Sequence, residues 1–205
     1  MEAASVLLLS GGVESVTLLH QLTSAGEPLQ AMFIDYGQRA AALERAAADV
    51  HCEPLGVELV PFDLAAVGAT FRNRQARKLH IPLPHRNLVA LALGVSYATN
   101  QGARHVFLAA NRDDATAYPS SSHPFLAQMR LMLGLLGDVL LMTPFIDMGK
   151  ADIIRRGLRL GVDYETTYSC MLGHPLHCGR CPQCQRRRHA FAEAGNAEPD
   201  TFYRA

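Results

Sequence analysis

A glycine turn between an apolar run and a helical pattern constrains the fold of this chain more than any other feature. Val6–Leu9 is apolar and runs directly into Ser10-Gly11-Gly12-Val13-Glu14-Ser15, which we call the glycine turn. Val16, Leu19 and Leu22 follow at helical spacing, which predicts a buried strand, a tight turn and a helix start. Such a turn aims backbone N–H groups and the positive end of a helix dipole at one point, as phosphate sites do. The alternative is an ordinary strand-to-helix turn that contains two glycines.

Apolar strands alternate with helical segments along the rest of the chain. The predicted strands are Ser5–Leu9, Gln30–Ile34, Val57–Phe62, His105–Ala110 and Leu140–Phe145. The predicted helices are Ser15–Ala25, Ala40–Cys52, Asn87–Thr99, Pro124–Leu136 and Lys150–Leu160. We expect Asp147 to cap the last helix, and we expect Ala76–Arg86 and Asn111–His123 to be loops. This alternation predicts an α/β fold with a doubly wound, parallel, five-stranded sheet. Its ligand site should lie beyond the carboxyl ends of the strands.

The charge balance argues against a nucleic-acid binder. Lys+Arg and Asp+Glu number 19 each in the 205 residues, so the formal net charge is zero. The run Arg186–Arg188 is therefore predicted to be a solvated helix face, with a nucleic-acid contact as the weaker alternative. The longest apolar region, Leu126–Phe145, contains Arg130 and Asp138, so no membrane span is expected. We expect a cytoplasmic protein.

Four of the five cysteines are spaced as metal ligands. Cys170, Cys178, Cys181 and Cys184 supply the four thiolates that a closed, tetrahedral zinc site requires. An iron–sulfur cluster also accepts four cysteines, and unmetallated thiols are the third reading. His174 and His177 are spare candidate ligands. The fifth cysteine, Cys52, is expected to be a small buried residue.

Several segments together resemble the 7-cyano-7-deazaguanine synthases of queuosine biosynthesis, which belong to the N-type ATP pyrophosphatases. The glycine turn is similar to the pyrophosphate loop Ser-Gly-Gly-x-Asp-Ser of that superfamily, with Glu14 in place of aspartate. The other matching segments are Asp35-Tyr36-Gly37-Gln38-Arg39, Pro84-His85-Arg86-Asn87, Tyr118-Pro119, Thr143-Pro144-Phe145, Lys150-Ala151 and the four cysteines. The resemblance covers roughly Val6–Arg188.

The resemblance implies a fold of the adenine nucleotide alpha hydrolase type and a specific reaction. An ATP-pyrophosphatase domain would span residues 1–165, and a zinc knuckle with a helical segment would span residues 166–205. ATP with Mg²⁺ would adenylate the carboxylate of 7-carboxy-7-deazaguanine, and ammonia would displace AMP to form an amide. A second ATP would activate the amide oxygen, whose loss leaves the nitrile. AMP and pyrophosphate are the expected products of this C–N ligase.

The resemblance also implies roles for individual residues. ATP would contact Leu9, Ser10, Gly11, Gly12, Val13, Glu14, Ser15 and Asp35. The deazaguanine substrate would contact Tyr36, Gln38, Arg39, Arg86, Asn87 and Tyr118. Catalysis would depend on Glu14, Arg86 and Lys150. Surface salt bridges fit Arg86 and Lys150 equally well, and simple packing fits Tyr36.

Three departures from the family pattern indicate a divergent paralogue. Glu14 is one methylene longer than aspartate, His85 replaces a glycine, and Ser120-Ser121-Ser122 stands where the family has Asp-Cys-Arg. Three functions are therefore considered: the synthase, a ligase that passes the adenylated acid to a protein amine, and a nucleotide-binding module without turnover. The apolar helices Asn87–Thr99 and Pro124–Leu136 would support a homodimer.

Overall fold

The computed structural model describes residues 5–72 and 83–204 of the chain. The strands are β1 Ser5–Leu8, β2 Leu29–Asp35, β3 Leu59–Asp63, β4 His105–Leu108 and β5 Leu140–Met142. The helices are α1 Val13–Ser24, α2 Ala41–Cys52, α3 Ala65–Arg72, α4 Arg86–Asn100, α5 Arg112–Ala117, α6 His123–Leu133, α7 Lys150–Arg159 and α8 Pro182–Glu193. Short 3₁₀ turns lie at Pro119–Ser121, Tyr164–Thr166 and Asp200–Phe202.

The five strands form one parallel sheet, which confirms the predicted fold class. The strand order is β3-β2-β1-β4-β5, and the register places Leu7 of β1 beside Ala31 of β2 and Phe107 of β4. Because β1 lies at the centre and the chain winds outward from it in both directions, the glycine turn lies at the topological switch point. A ligand is expected to bind there.

Helices cover both faces of the sheet, and side chains alternate between two cores as the strand period requires. Leu7 and Phe107 belong to the core that also contains buried residues of α1, α7 and α8. Val6 and Val106 point to the opposite core, beneath α4 and α6. Ala190 and Phe191 of α8 lie in the first core, so the C-terminal segment packs on the same layer as α1.

Two local expectations are wrong, and both errors involve capping. The predicted loop Asn111–His123 contains helix α5, because the Asn111 side chain caps it by accepting a 2.8 Å hydrogen bond from the Asp114 N–H. Helix α7 is not capped by Asp147, since its N-cap residue is Gly149. The Lys150 N–H instead donates a 3.1 Å hydrogen bond to Asp113 of α5.

The predicted solvated face at Arg186–Arg188 is wrong for its middle residue. Arg187 is fully buried, and its guanidinium donates to Glu198 at 2.7 Å and to the Tyr164 carbonyl oxygen at 2.7 Å. It also lies over the Phe202 ring, 4.7 Å from the centroid. This paired and hydrogen-bonded charge joins α8 to the segments on either side of it.

The remaining outcomes concern smaller features. Helix α3 was not predicted, and most of the predicted loop Ala76–Arg86 lies outside the described residues. Cys52 is buried, as expected for a small core residue. Among the described helices, none combines the length and hydropathy that crossing a membrane requires.

Candidate active site

The glycine turn follows β1 directly and is fixed by tight packing. Gly11 has a φ of +72°, and a Cβ atom there would lie 2.2 Å from the Glu44 carbonyl oxygen of α2. Gly12 is the N-cap residue of α1, and in the described part of the chain no side chain caps that helix. Because the first-turn N–H groups of α1 have no capping side chain, they are free to bind an anion.

Glu14 forms the centre of a charged cluster beside the glycine turn. Its Oε1 atom accepts hydrogen bonds from Lys150 Nζ at 2.8 Å and from Asn111 Nδ2 at 3.0 Å. Asn111 is fully buried, and the same Nδ2 group donates to Asp114 Oδ2 at 3.2 Å. The α1, α5 and α7 N-termini are therefore joined through these side chains at the carboxyl edge of the sheet.

Asp114 is a site residue that the sequence did not reveal. Burial raises the pKa of Asp114, and repulsion from Glu14 raises it further, whereas Lys150 lowers it. Arg186 lies 3.9 Å from the Asp114 carboxylate and 5.8 Å from the centroid of the Tyr118 ring. A carboxyl group in this setting can accept or donate a proton nearer neutral pH than an exposed aspartate can.

A second polar cluster follows β2. Arg86 Nη1 donates a 3.1 Å hydrogen bond to the Tyr36 hydroxyl, and burial raises the pKa of Tyr36. Gln38 Nε2 donates to Glu44 Oε2 at 2.9 Å, and burial raises the pKa of Glu44. Glu44 is the other site residue that was missed. Its signal in the sequence is its position in the first turn of the helix after Asp35-Tyr36-Gly37-Gln38-Arg39.

Asn87 and Tyr118 connect the loop after α5 to its surroundings. Asn87 Nδ2 donates to Ser121 Oγ at 2.8 Å, which holds the serine segment that replaces Asp-Cys-Arg. The Tyr118 hydroxyl accepts a 3.4 Å hydrogen bond from Gln183 of α8. Ser122 caps α6 by accepting a hydrogen bond from the Phe125 N–H at 3.4 Å. The replaced segment is therefore well packed and hydrogen-bonded.

A cavity of about 550 Å³ joins the two clusters. It is lined by most of the predicted site residues, namely Leu9, Ser10, Gly12, Glu14, Ser15, Tyr36, Gln38, Arg86, Asn87, Tyr118 and Lys150, and also by Glu44 and Asp114. Four predicted residues, Gly11, Val13, Asp35 and Arg39, are not part of this lining. Asp35 accepts a 2.7 Å hydrogen bond from the Gly37 N–H, and Arg39 is exposed. The volume lies within the range of small-molecule and cofactor sites.

The four cysteines of the C-terminal segment converge on one point. The Sγ atoms of Cys170, Cys178, Cys181 and Cys184 all lie within 4.8 Å of one another, and all four residues are buried. The N–H groups of Cys181 and Cys184 point at the sulfurs of Cys178 and Cys181, at 3.3 and 3.5 Å. The arrangement can hold a metal. His177 is not part of this cluster, because its Nε2 atom accepts a 2.9 Å hydrogen bond from the Ser169 N–H.

Comparison with known proteins decides the family. Residues 4–195 match the family described as queuosine biosynthesis protein QueC. The chain belongs to the QueC family. It is similar to 7-cyano-7-deazaguanine synthase 1 of Sulfurisphaera tokodaii, at 32% identity over 97% of both chains. It is also similar to the 7-cyano-7-deazaguanine synthase of Methanoregula boonei, at 36% identity over 95% of this chain and 97% of the relative.

Solved structures resemble this QueC family member in fold alone. NMN synthetase from Francisella tularensis matches with a TM-score of 0.58 and 14% identity, over 98% of this chain and 84% of that chain. The U34-tRNA thiolase NcsA from Methanococcus maripaludis, with its [4Fe-4S] cluster, matches with a TM-score of 0.59 and 17% identity. That match covers 96% of this chain and 67% of the thiolase.

Proposed function

We propose that this QueC family member converts 7-carboxy-7-deazaguanine to 7-cyano-7-deazaguanine with ATP and ammonia. The observation that carries the proposal is the single cavity that joins the glycine turn, the Glu14–Lys150 pair and Arg86. The names of the relatives supply the product, 7-cyano-7-deazaguanine, and near-complete coverage of their chains supports its transfer to this chain. The enzyme would be an ATP-dependent C–N ligase that releases AMP and pyrophosphate.

The cavity contains N–H donors and cations that can stabilise the negative charge of the phosphates and of the substrate carboxylate. The first-turn N–H groups of α1 would bind the pyrophosphate as it leaves, and Lys150 adds a positive charge beside it. Arg86 is a cation within the same cavity that can hold the substrate carboxylate or the α-phosphate. No Walker lysine follows the turn, which favours pyrophosphate release over γ-phosphoryl transfer.

The donor set beside the glycine turn fits Mg²⁺, which prefers carboxylate oxygens and phosphates. Glu14 and Asp114 would hold the ion, and it would supply positive charge next to the phosphates. The longer Glu14 side chain also reaches Lys150 and Asn111 in this chain. We therefore propose that Glu14 serves the role of the family's aspartate despite its extra methylene.

A ligase that transfers the adenylated acid to a protein amine is the second candidate. The observation that favours it is the segment Ser120–Ser122, which replaces Asp-Cys-Arg and lines the cavity through Ser120 and Ser121. A change in the cavity wall can change which amine reaches the adenylated acid. A nucleotide-binding module without turnover is the third candidate.

One assay separates these functions. The protein is incubated with ATP, Mg²⁺ and 7-carboxy-7-deazaguanine, with and without ammonium, and the products are identified by mass spectrometry. We expect ammonium-dependent formation of the amide and then the nitrile, with AMP as the nucleotide product. An adenylate that accumulates despite ammonium and reacts only with a protein amine would favour the ligase. Tight ATP binding without AMP formation would leave only the binding module.

We propose that the four cysteines hold a structural Zn²⁺ ion. Four sulfurs placed ~2.3 Å from one ion at tetrahedral angles lie ~3.8 Å apart, and the Cys178 and Cys184 sulfurs are 3.8 Å apart. A [4Fe-4S] cluster binds each cysteine to a different iron, so its sulfurs stand farther apart. The compact group therefore favours a single ion. We propose that residues 166–205 form this zinc module and that residues 1–165 form the ATP-pyrophosphatase unit.

We also propose a homodimer in the cytoplasm. Apolar side chains are exposed at the end of α6, in the turn that follows it and on the edge strand β5. Among them are Leu135 at 87% and Leu136 at 71% exposure, both in that turn. A second copy would cover this surface, and analytical ultracentrifugation would report it as a doubled mass. Buried thiols kept free for a metal suit a reducing compartment.

A further inference from the structure

We propose that Glu44 selects the guanine-type base by accepting hydrogen bonds from its ring N1–H and its 2-amino group. The inference rests on the proposed function and assigns a specific subsite within the cavity.

The Glu44 carboxylate is held rigidly from one side only. The Glu44 carbonyl oxygen packs against Gly11, which fixes the first turn of α2 against the glycine turn. Gln38 donates to Glu44 Oε2, and Gln38 is itself oriented by a 2.9 Å hydrogen bond from the Tyr36 N–H to its Oε1 atom. Among the described residues, no hydrogen bond reaches Glu44 Oε1. The side chain lines the cavity, so this unsatisfied oxygen is available to a ligand.

A half-buried carboxylate with a free acceptor atom requires a donor, because burial without a partner is costly. Guanine-type bases present N1–H and 2-NH₂ side by side. Glu44 Oε1 can accept one of these donors, and Oε2 keeps a second lone pair for the other beside its hydrogen bond from Gln38. The 6-oxo group beside N1–H is an acceptor. Arg86 lines the same cavity and has N–H groups that can donate to that oxygen. Glu44 and Arg86 together complement the three-atom edge of the base.

The adenine of ATP does not present a hydrogen-bonding edge that matches Glu44. Adenine presents an acceptor at N1 beside its 6-amino donor, so a carboxylate would face a lone pair. A different part of the cavity is lined by apolar residues that belong to the core beneath α4 or pack against it, namely Leu8, Met32, Ile34, Ala90 and Leu108. This wall suits the flat, apolar faces of adenine, which leaves Glu44 for the substrate base.

The test exchanges the hydrogen-bond pattern of Glu44 without changing its size. Glu44→Gln presents one donor and one acceptor, which fits an adenine edge but opposes the two donors of a guanine edge. We expect the KM for 7-carboxy-7-deazaguanine to rise about 30-fold and the KM for ATP to change less than about twofold. The matched control is Asp49→Asn on the exposed side of the same helix, where Asp49 lies 3.7 Å from Arg45. This control should leave both KM values unchanged.

A substrate analogue makes the test independent of the variant's folding. The 7-carboxy-7-deazahypoxanthine analogue lacks the 2-amino group, and its binding to the wild-type protein, measured by calorimetry, should be about 10-fold or more weaker. Equal affinity for the two acids would overturn the inference. An unchanged substrate KM in Glu44→Gln would also overturn it, as would weakened ATP binding in Glu44→Ala that Glu44→Gln restores. If the wild-type protein binds neither acid, the proposed function itself fails, and the inference fails with it.

Discussion

Lys150→Met should lower the rate of AMP formation by roughly 10² to 10³-fold, which is the usual cost of removing one preorganised charge from a transition state. Lys150 is only 9% exposed at the start of α7, and its Nζ atom lies 2.8 Å from Glu14 Oε1. That position places the ammonium group in the cavity beside the glycine turn, where pyrophosphate charge would develop. We expect the loss in kcat, with a smaller change in ATP affinity, because the added charge on the leaving group appears only in the reaction.

Two variants separate this role from a structural salt bridge. Arg155→Met removes a cation from the exposed side of the same helix, where Arg155 pairs with Asp152 at 2.7 Å, and should leave activity unchanged. The double variant Glu14→Gln/Lys150→Met removes both charges and should recover the melting temperature lost in Lys150→Met without recovering activity. Full AMP formation by a folded Lys150→Met protein would show that the pair only stabilises the structure. Pyrophosphate release and thermal unfolding are the measurements.

The sheet and the glycine turn could be predicted because their signals are local. Each strand is a short apolar run between turn residues, and strand-helix alternation is enough to predict a parallel sheet. The glycine turn carries its own conformational requirement, since Gly11 must adopt a positive φ against Glu44. The spacing of the four cysteines likewise predicts that their sulfurs meet at one point, as they do.

The missed features depend on partners that are distant along the chain. Arg187 looks exposed in a run of three arginines, yet its partner Glu198 lies eleven residues later and its other contacts precede it by about twenty. At the N-terminus of α7, the Lys150 N–H donates to Asp113, thirty-seven residues earlier in the chain. Asp114 and Glu44 become site residues only because the sheet brings α5 and α2 to one edge. These contacts join residues that are far apart in the sequence, so local sequence patterns do not predict them.

Removal of the proposed zinc ion should unfold the C-terminal module and weaken ATP binding together. Structural zinc in small modules contributes an apparent free energy on the order of 10 kcal/mol, because the site exists only in the folded state. Without the ion, the four buried cysteines that meet within 4.8 Å would lose the contact that holds them together. The effect should reach the nucleotide site, since Tyr168 of this segment donates from its N–H to the Gly11 carbonyl oxygen at 2.9 Å. This hydrogen bond connects the glycine turn to the C-terminal module.

The measurement combines elemental analysis, hydrogen exchange and calorimetry on the full chain. We expect about one zinc per chain, rapid exchange across residues 166–204 after chelation, and a parallel loss of ATP affinity that returns when zinc is restored. Cys184→Ser should reproduce the chelated state. Cys52→Ala should keep its full zinc content, because Cys52 is buried in α2 and is not among the grouped cysteines. Iron with a visible absorption band would contradict the zinc assignment. Unchanged ATP affinity in the metal-free protein would contradict the coupling through Tyr168, because the glycine turn would then bind ATP without a folded C-terminal module.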